Sequence, residues 1–159
     1  MKNFETSFKK QTVMETSISP QLQEKIDYIL GKNQESISGS GMKNRFKSMP
    51  ENLKADILKN HEFQQALIDY IIAKKEDEKI STSAIASRIN STLPEEIKLQ
   101  ILKNNEVQQA MVDNVIAKDQ PEKISLNAAK GRLSKLPVEV QQDIANNPEV
   151  LAAFPEILN

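Results

Sequence analysis

Chemically reactive side chains are few in this sequence, and none has the neighbours that a catalytic or metal site needs. His61 is the single histidine and there is no cysteine. A zinc site would therefore depend almost wholly on carboxylates, which is unusual. The positions equivalent to His61 in two other copies of an internal repeat hold Asn105 and Pro148. We interpret His61 as a surface or capping residue, because a catalytic base needs partners.

Three short motifs contain the residue types of known reactive sites. Ser40 and Lys43 match the Ser-x-x-Lys spacing of penicillin-recognising enzymes, but the companion Ser-Asp-Asn and Lys-Thr-Gly motifs are absent. Ser-Gly-Ser-Gly at 38–41 lacks the Gly-Lys-Ser/Thr ending of a phosphate-binding loop. The adjacent Glu95 and Glu96 fit the first turn of a helix, whose dipole favours negative charge. The sequence therefore indicates no catalytic residue, no metal and no cofactor, and we expect a protein that is not an enzyme.

Internal repetition is the strongest pattern in the chain. Three segments are variants of one another, at 45–74, 88–118 and 132–159. Their register is marked by Pro50, Pro94 and Pro137, which are 44 and 43 residues apart. A period of this size is typical of a supersecondary unit that is copied and stacked, because one copy cannot bury its apolar face alone.

Each full repeat contains three helix signals. The first helix opens on an Ile-Ser pair whose serine suits an N-cap, and the second opens on the marker proline, which we place at the first helical position. The third begins at an asparagine that also ends the second helix. The serines are Ser38, Ser81 and Ser125, and the asparagines are Asn60, Asn104 and Asn147. Gly39 and Gly41 weaken the first of these helices, so 38–41 remains open as helix or loop.

The helix signals predict an all-α fold of about nine or ten short helices, stacked in a right-handed array of three-helix repeats of about 43 residues. Residues 1–18 are interpreted as a flexible polar leader and 19–36 as a lone helix of the third type. Full repeats follow at 37–79, 80–123 and 124–159. Aromatic residues make up only 4% of the chain, so we expect an aliphatic core.

In unit length and helix count, the repeat resembles armadillo arrays, and HEAT repeats are close in length. This resemblance covers nearly the whole chain but lies only in length and helix count, so no family binding residue is carried over. It implies a superhelical stack that binds extended partners along one surface.

A shorter likeness concerns the opening of the second helix. Leu93-Pro94-Glu95-Glu96-Ile97, followed by Ile101-Leu102, resembles the opening of an F-box, a helical module that links substrates to ubiquitin ligases. The pattern recurs at 49–50 and 136–137, whereas an F-box normally occurs once. A proline-started amphipathic helix is therefore the better interpretation.

Recurring charged positions predict contacts between repeats. An aspartate precedes an arginine by 18, 19 and 19 residues in the pairs Asp27–Arg45, Asp69–Arg88 and Asp113–Arg132. We expect each pair to form an ion pair between successive units, because bidentate arginine–carboxylate contacts fix how elements meet. The alternative is a ladder of charges that faces a partner.

Two further sets of residues are candidates for partner binding. Glu62, Gln65, Glu106 and Gln109 are expected to project from the third helices as a polar, mildly acidic stripe, with a solvated face as the alternative. Near the carboxyl end, Phe154 and Leu158 belong to an apolar segment that Pro155 should break. We expect this segment to fold back on the last repeat and to offer any exposed remainder to a partner or to a second copy as a homodimer contact.

Charge and hydropathy restrict the classes of function. The chain has 21 basic and 22 acidic residues, whereas nucleic-acid binders normally have a basic excess. No apolar run approaches the ~18 residues that span a bilayer, and the amino terminus lacks a secretory signal. We therefore predict a soluble protein that is cytoplasmic, or exported without a classical signal peptide. Its predicted function is a scaffold that binds another protein; the alternatives are a nucleic-acid-binding helical array and an F-box-like adaptor.

Overall fold

The computed structural model describes residues 19–33, 37–77 and 79–159. Within these ranges all regular structure is α-helical, which confirms the all-α prediction. Ten helices follow one another there: α1 Pro20–Leu30, α2 Gly39–Lys47, α3 Glu51–Lys59, α4 His61–Ile71, α5 Thr82–Thr92, α6 Glu95–Leu102, α7 Asn105–Val115, α8 Leu126–Ser134, α9 Val138–Ala145 and α10 Pro148–Ala153. The predicted leader at 1–18 and the end of the lone-helix segment at 34–36 lie outside the described residues.

The N-caps of the first and third helices of each full repeat are the predicted residues. The side chain of each capping serine or asparagine accepts a hydrogen bond from a backbone amide two or three residues further on. Ser19 caps α1 in the same way. A side-chain cap of this kind contributes about 1 kcal/mol to helix stability. Short helices of six to 11 residues are marginal alone, so these caps help to fix where each one begins.

The marker prolines lie one position earlier than predicted. Pro50, Pro94 and Pro137 are N-caps rather than first helical residues, because their ψ angles of 145°, 144° and 141° are extended. Proline fits both positions, since each needs φ near −65° and no amide donor. Pro20 and Pro148 do occupy the first helical position of α1 and α10.

Residues 39–47 form a helix although two glycines stand in its first turn. A Cβ atom on Gly39 would lie 2.0 Å from Thr92 Oγ1 and 2.9 Å from a ring carbon of Tyr70. Glycine therefore lets α2 approach α5 and α4 closely. The packing gained by this approach offsets the cost of glycine in a helix, which is about 1 kcal/mol relative to alanine.

Equivalent helices pack against one another. α2 contacts α5 and α5 contacts α8, which we call the first-helix row; α1, α4, α7 and α10 also contact each other in order and form the third-helix row. Among the described residues, the buried apolar side chains form one cluster between the helices, and most of its members are aliphatic, such as Ile26, Ile57, Ile89 and Ile144. The prediction of an aliphatic core is confirmed.

Candidate interaction surface

Three helices of the third-helix row, α1, α4 and α7, are each followed by a further repeat. All three end in the same type of turn. Gly31, Ala73 and Ala117 follow α1, α4 and α7 with left-handed φ angles of 67°, 55° and 51°. In the second of these turns, the amide of Lys74 donates to the carbonyl of Asp69 at 2.9 Å. This six-residue closure is the Schellman motif, which satisfies carbonyls left open at a helix end. It also turns the Lys74 side chain back along α4.

A polar contact joins each of these helices to the next one in the row. Gln65 Nε2 on α4 donates to Glu106 Oε1 on α7 at 3.2 Å, and Lys74 Nζ lies 2.5 Å from Glu106 Oε2. Gln65 also donates to Asp69 at 2.9 Å, which orients the amide. The same contacts join Gln23 and Lys32 to Glu62, and Gln109 and Lys118 to Glu149. We call these three connected steps the inter-repeat ladder.

The ladder contains all four residues of the predicted partner-binding stripe, and their binding of a partner stays a prediction. One surface carries Glu62, Gln65, Glu106 and Gln109. The polar atoms of each of these side chains form a hydrogen bond to a residue of a neighbouring repeat. Stacking places the first-turn glutamate of one helix beside the mid-helix glutamine of the preceding one, so the contact is intramolecular. Glu149, Lys32, Lys74 and Lys118 complete the steps. The Gln-to-Glu spacing of 39, 41 and 40 residues is a signal in the sequence that identifies these contacts.

Hydrogen bonds within the ladder shift the pKa values of its members. The pKa of Glu106 is held below its ordinary value, first by the hydrogen bond from Lys74 and then by the one from Gln65. The pKa values of Glu62 and Glu149 are lowered in the same way by their lysine and glutamine partners. Glu106 in turn raises the pKa of Lys74. These charges are partly exposed, so they fix orientation more than they add stability.

We expect the ladder to make stability depend on pH in the acid range. Because folding lowers the pKa of these glutamates, the unfolded chain binds more protons as pH falls. The contribution is complete above their ordinary pKa of 4.5 and is lost as pH falls through the lower folded values. Urea unfolding followed by circular dichroism should therefore show a weaker pH dependence for Glu62→Gln/Glu106→Gln/Glu149→Gln than for the wild type.

A matched control for this variant replaces exposed glutamates that lie outside the ladder. Glu24→Gln/Glu122→Gln/Glu156→Gln makes the same change in charge. It should retain more of the wild-type pH dependence than the ladder variant does. Parallel stability–pH curves for the two triple variants would contradict the role given to the ladder.

The repeated arginines bind the carboxyl ends of helices rather than the predicted aspartates. Arg88 Nη1 donates to the Tyr70 carbonyl at 2.6 Å and to Glu76 at 2.8 Å, and the guanidinium lies 4.5 Å above the Tyr70 ring. Asp69 instead accepts from Gln65 and lies near Lys74. The predicted ion pair Asp69–Arg88 is therefore wrong. The carbonyls at a helix end carry partial negative charge that attracts the guanidinium.

The other two copies follow this scheme. Arg132 Nη1 donates to the Asn114 carbonyl at 2.6 Å, while Asp113 accepts from Gln109 and lies 3.8 Å from Lys118, so the predicted Asp113–Arg132 pair is also wrong. In the first copy, Arg45 donates to the Tyr28 carbonyl at 2.6 Å and lies 4.3 Å above its ring. Asp27 is held by Gln23 and Lys32. Each arginine thus fastens a first helix to the third helix of the preceding repeat.

The carboxyl-terminal segment is divided between core and surface. Phe154 is only 4% exposed, and Lys123 Nζ lies 4.8 Å from the centre of its ring. The prediction that Phe154 binds a partner is therefore wrong, because the residue closes the core of the last repeat. Leu158 is 47% exposed and is available at the surface. Helix α10 ends at Ala153, two residues before Pro155, which agrees with the predicted break.

His61 is exposed in the first turn of α4. No group of three or more histidine or acidic side chains within 19–33, 37–77 and 79–159 could hold a metal ion. Among the ten described helices, none is long and apolar enough to cross a bilayer.

Comparison with known proteins assigns the chain to no class. No protein-family model, curated protein or solved structure matches it. Function must therefore be inferred from the contacts themselves.

Proposed function

We propose that this chain is a non-enzymatic scaffold for protein–protein interaction, built as a solenoid-like stack of three-helix repeats. We place it in the cytoplasm, or outside the cell after export without a classical signal peptide. The observation that supports the proposal is the inter-repeat ladder. The same glutamine, lysine and glutamate contacts join three successive pairs of third-row helices.

A repeated joint gives repeated geometry. Because each step uses equivalent atoms, we expect successive repeats to meet at similar angles, so that their outer surfaces continue one another. The arginine contacts add a second fixed joint between each first helix and the preceding third helix. Repeat arrays of this kind bind partners along extended surfaces, since each unit adds one segment of surface.

The experiment is affinity capture with the full chain on a resin, using an extract of the native cell, followed by reconstitution with the purified captured protein. We expect a saturable complex with one or a few proteins. The matched variant Glu62→Lys/Glu106→Lys/Glu149→Lys places like charges across each ladder step. It should bind the captured protein at least about tenfold more weakly, which corresponds to about 1.4 kcal/mol.

Circular dichroism should show that this variant retains its helices, because the changed side chains lie at the surface. Retention of nucleic acid alone would contradict the scaffold proposal. So would a wild-type chain that retains no protein beyond the background of an unrelated helical protein.

A further inference from the structure

Charge is distributed unevenly among the helices. The first-helix row, α2, α5 and α8, contains no aspartate or glutamate, although acidic residues are abundant elsewhere in the chain. The basic residues of the row and of the position just after α8 are Lys43, Arg45, Lys47, Arg88, Lys130, Arg132 and Lys135. The net charge of the whole chain is close to zero, but all charged residues of the first-helix row are positive.

The arginines and the lysines of this row have different positions. The arginines contact the carboxyl ends of the preceding third helices, as described above. Lys47 and Lys135 are exposed. Lys43 Nζ crosses from α2 to donate to the carbonyl of Asn90 near the end of α5, at 3.2 Å. The lysines thus supply the positive charge at the outer face of the row.

A shallow groove of about 570 Å³ follows the outer face of α5 and includes Lys135 in its lining. Its lining is hydroxyl, amide and ammonium groups with one small apolar side chain: Ser83, Ala86, Ser87, Asn90, Ser91 and Lys135. α5 lies between α2 and α8 in the row, so Lys43 and Lys135 approach the groove from its two neighbours. Lys47 is exposed four residues after Lys43 and therefore lies on the same side of α2. We call the groove and these three lysines the first-helix face.

We propose that the first-helix face is the docking surface of the scaffold and that its occupant is an acidic segment of another protein in extended conformation. This inference rests on the proposed scaffold function. Carboxylates only accept hydrogen bonds, and the serine hydroxyls, the asparagine amide and the lysine ammonium groups all donate them. Complementary charge sets specificity and the rate of encounter at such a surface.

The lining of the groove also distinguishes among occupants. An amphipathic helix needs an apolar groove for its anchors, and this groove offers only Ala86. Single-stranded nucleic acid is held by aromatic stacking platforms, and no aromatic side chain lines the groove. An extended acidic peptide needs neither feature.

The test measures the fluorescence anisotropy of a labelled peptide of alternating glutamate and serine, titrated with the full chain. The variant Lys43→Gln/Lys47→Gln/Lys135→Gln should bind about tenfold more weakly, because several exposed charge pairs are lost together. The control Lys25→Gln/Lys59→Gln/Lys103→Gln removes the same charge from positions outside the row and should bind as the wild type does. Ser87→Glu should weaken binding at least as much, since it places a carboxylate in the groove.

Equal weakening by the two triple variants would overturn the proposal, because attraction would then follow overall charge. Tighter binding of a thymidine oligonucleotide than of the peptide would assign the face to nucleic acid and overturn it as well. The scaffold proposal fails separately. If Lys43→Gln/Lys47→Gln/Lys135→Gln still captures the partner of the wild type, the docking surface lies elsewhere, while the scaffold function remains.

Discussion

Replacing Gly39 by alanine is expected to destabilise the protein by about 2 kcal/mol, the middle of the range for overpacking a core. The new methyl group would lie 2.0 Å from Thr92 Oγ1. Thr92, the last residue of α5, cannot move outward because it is fully buried where α5 meets α2. α2 would have to separate from α5 and lose contacts along the first-helix row.

The matched control is Gly131→Ala in α8. Apart from its chain neighbours and the backbone of its own helix, no heavy atom lies within 4 Å of the position that its Cβ would take. Gly131 is exposed and in the interior of the helix, so alanine should stabilise the protein by about 0.5–1 kcal/mol. Urea unfolding followed by circular dichroism gives both values, and two changes of the same sign would contradict the packing explanation.

A double mutant identifies the atom that causes the clash. Thr92 Oγ1 is buried without a hydrogen-bond partner, so removing it sacrifices no hydrogen bond. Gly39→Ala/Thr92→Ala should therefore be more stable than the sum of the two single changes predicts, since the substituted residues are in contact. If the changes in the free energy of unfolding of the two single variants simply add, the strain lies elsewhere, for example at Tyr70.

Replacing Phe154 by alanine is expected to lower the free energy of unfolding by about 3–5 kcal/mol, the usual range for a large aromatic side chain removed from a core. Its ring closes the last repeat and is only 4% exposed. Leu158→Ala, four residues away on the same segment, should change stability by less than about 0.5 kcal/mol because that side chain lies half outside. Thermal unfolding of both variants tests the division of this segment between core and surface.

The same segment bears on self-association. A stable interface buries upwards of about 1,000 Å², which one half-exposed leucine does not provide. We therefore expect light scattering to give the same mass for the wild type and for Leu158→Asp. A lower mass for the variant would support the homodimer predicted from the sequence and contradict this expectation.

Capping residues made the helices predictable from sequence. Ser81 and Asn104 mark helix starts because a short polar side chain before an apolar pattern has a definite local function, to accept a backbone amide. The sequence predicts Pro94 as the first helical residue, whereas it is the N-cap, because its φ angle suits both of these adjacent positions. Only the extended ψ of 144° distinguishes them, and the sequence does not encode ψ directly.

The contacts between repeats were harder to predict, for a different reason. Recurrence correctly paired the helix of Asp69 with the helix of Arg88, but the acceptor is the carbonyl of the neighbouring Tyr70. Every residue has a carbonyl, so a pattern of side chains cannot select one. The burial of Phe154 is hard to predict for a related reason. It depends on packing against residues distant in the sequence, and Pro155 is the only local signal for the fold-back.

The contacts on the two sides of one repeat are complementary to each other, and this allows longer proteins to be built from the same unit. Residues 80–123 contain Arg88 and Glu106 for the joint with the repeat before, and Gln109, Asn114 and Lys118 for the joint with the repeat after. Both halves of each connection therefore lie within one continuous stretch of chain. Tandem duplication of that stretch would bring a second Arg88 to the Asn114 carbonyl and a second Glu106 to Lys118. Copies of the segment 80–123 can thus form the existing inter-repeat contacts with one another. Such a protein can lengthen by duplication of this segment without any new contact between repeats.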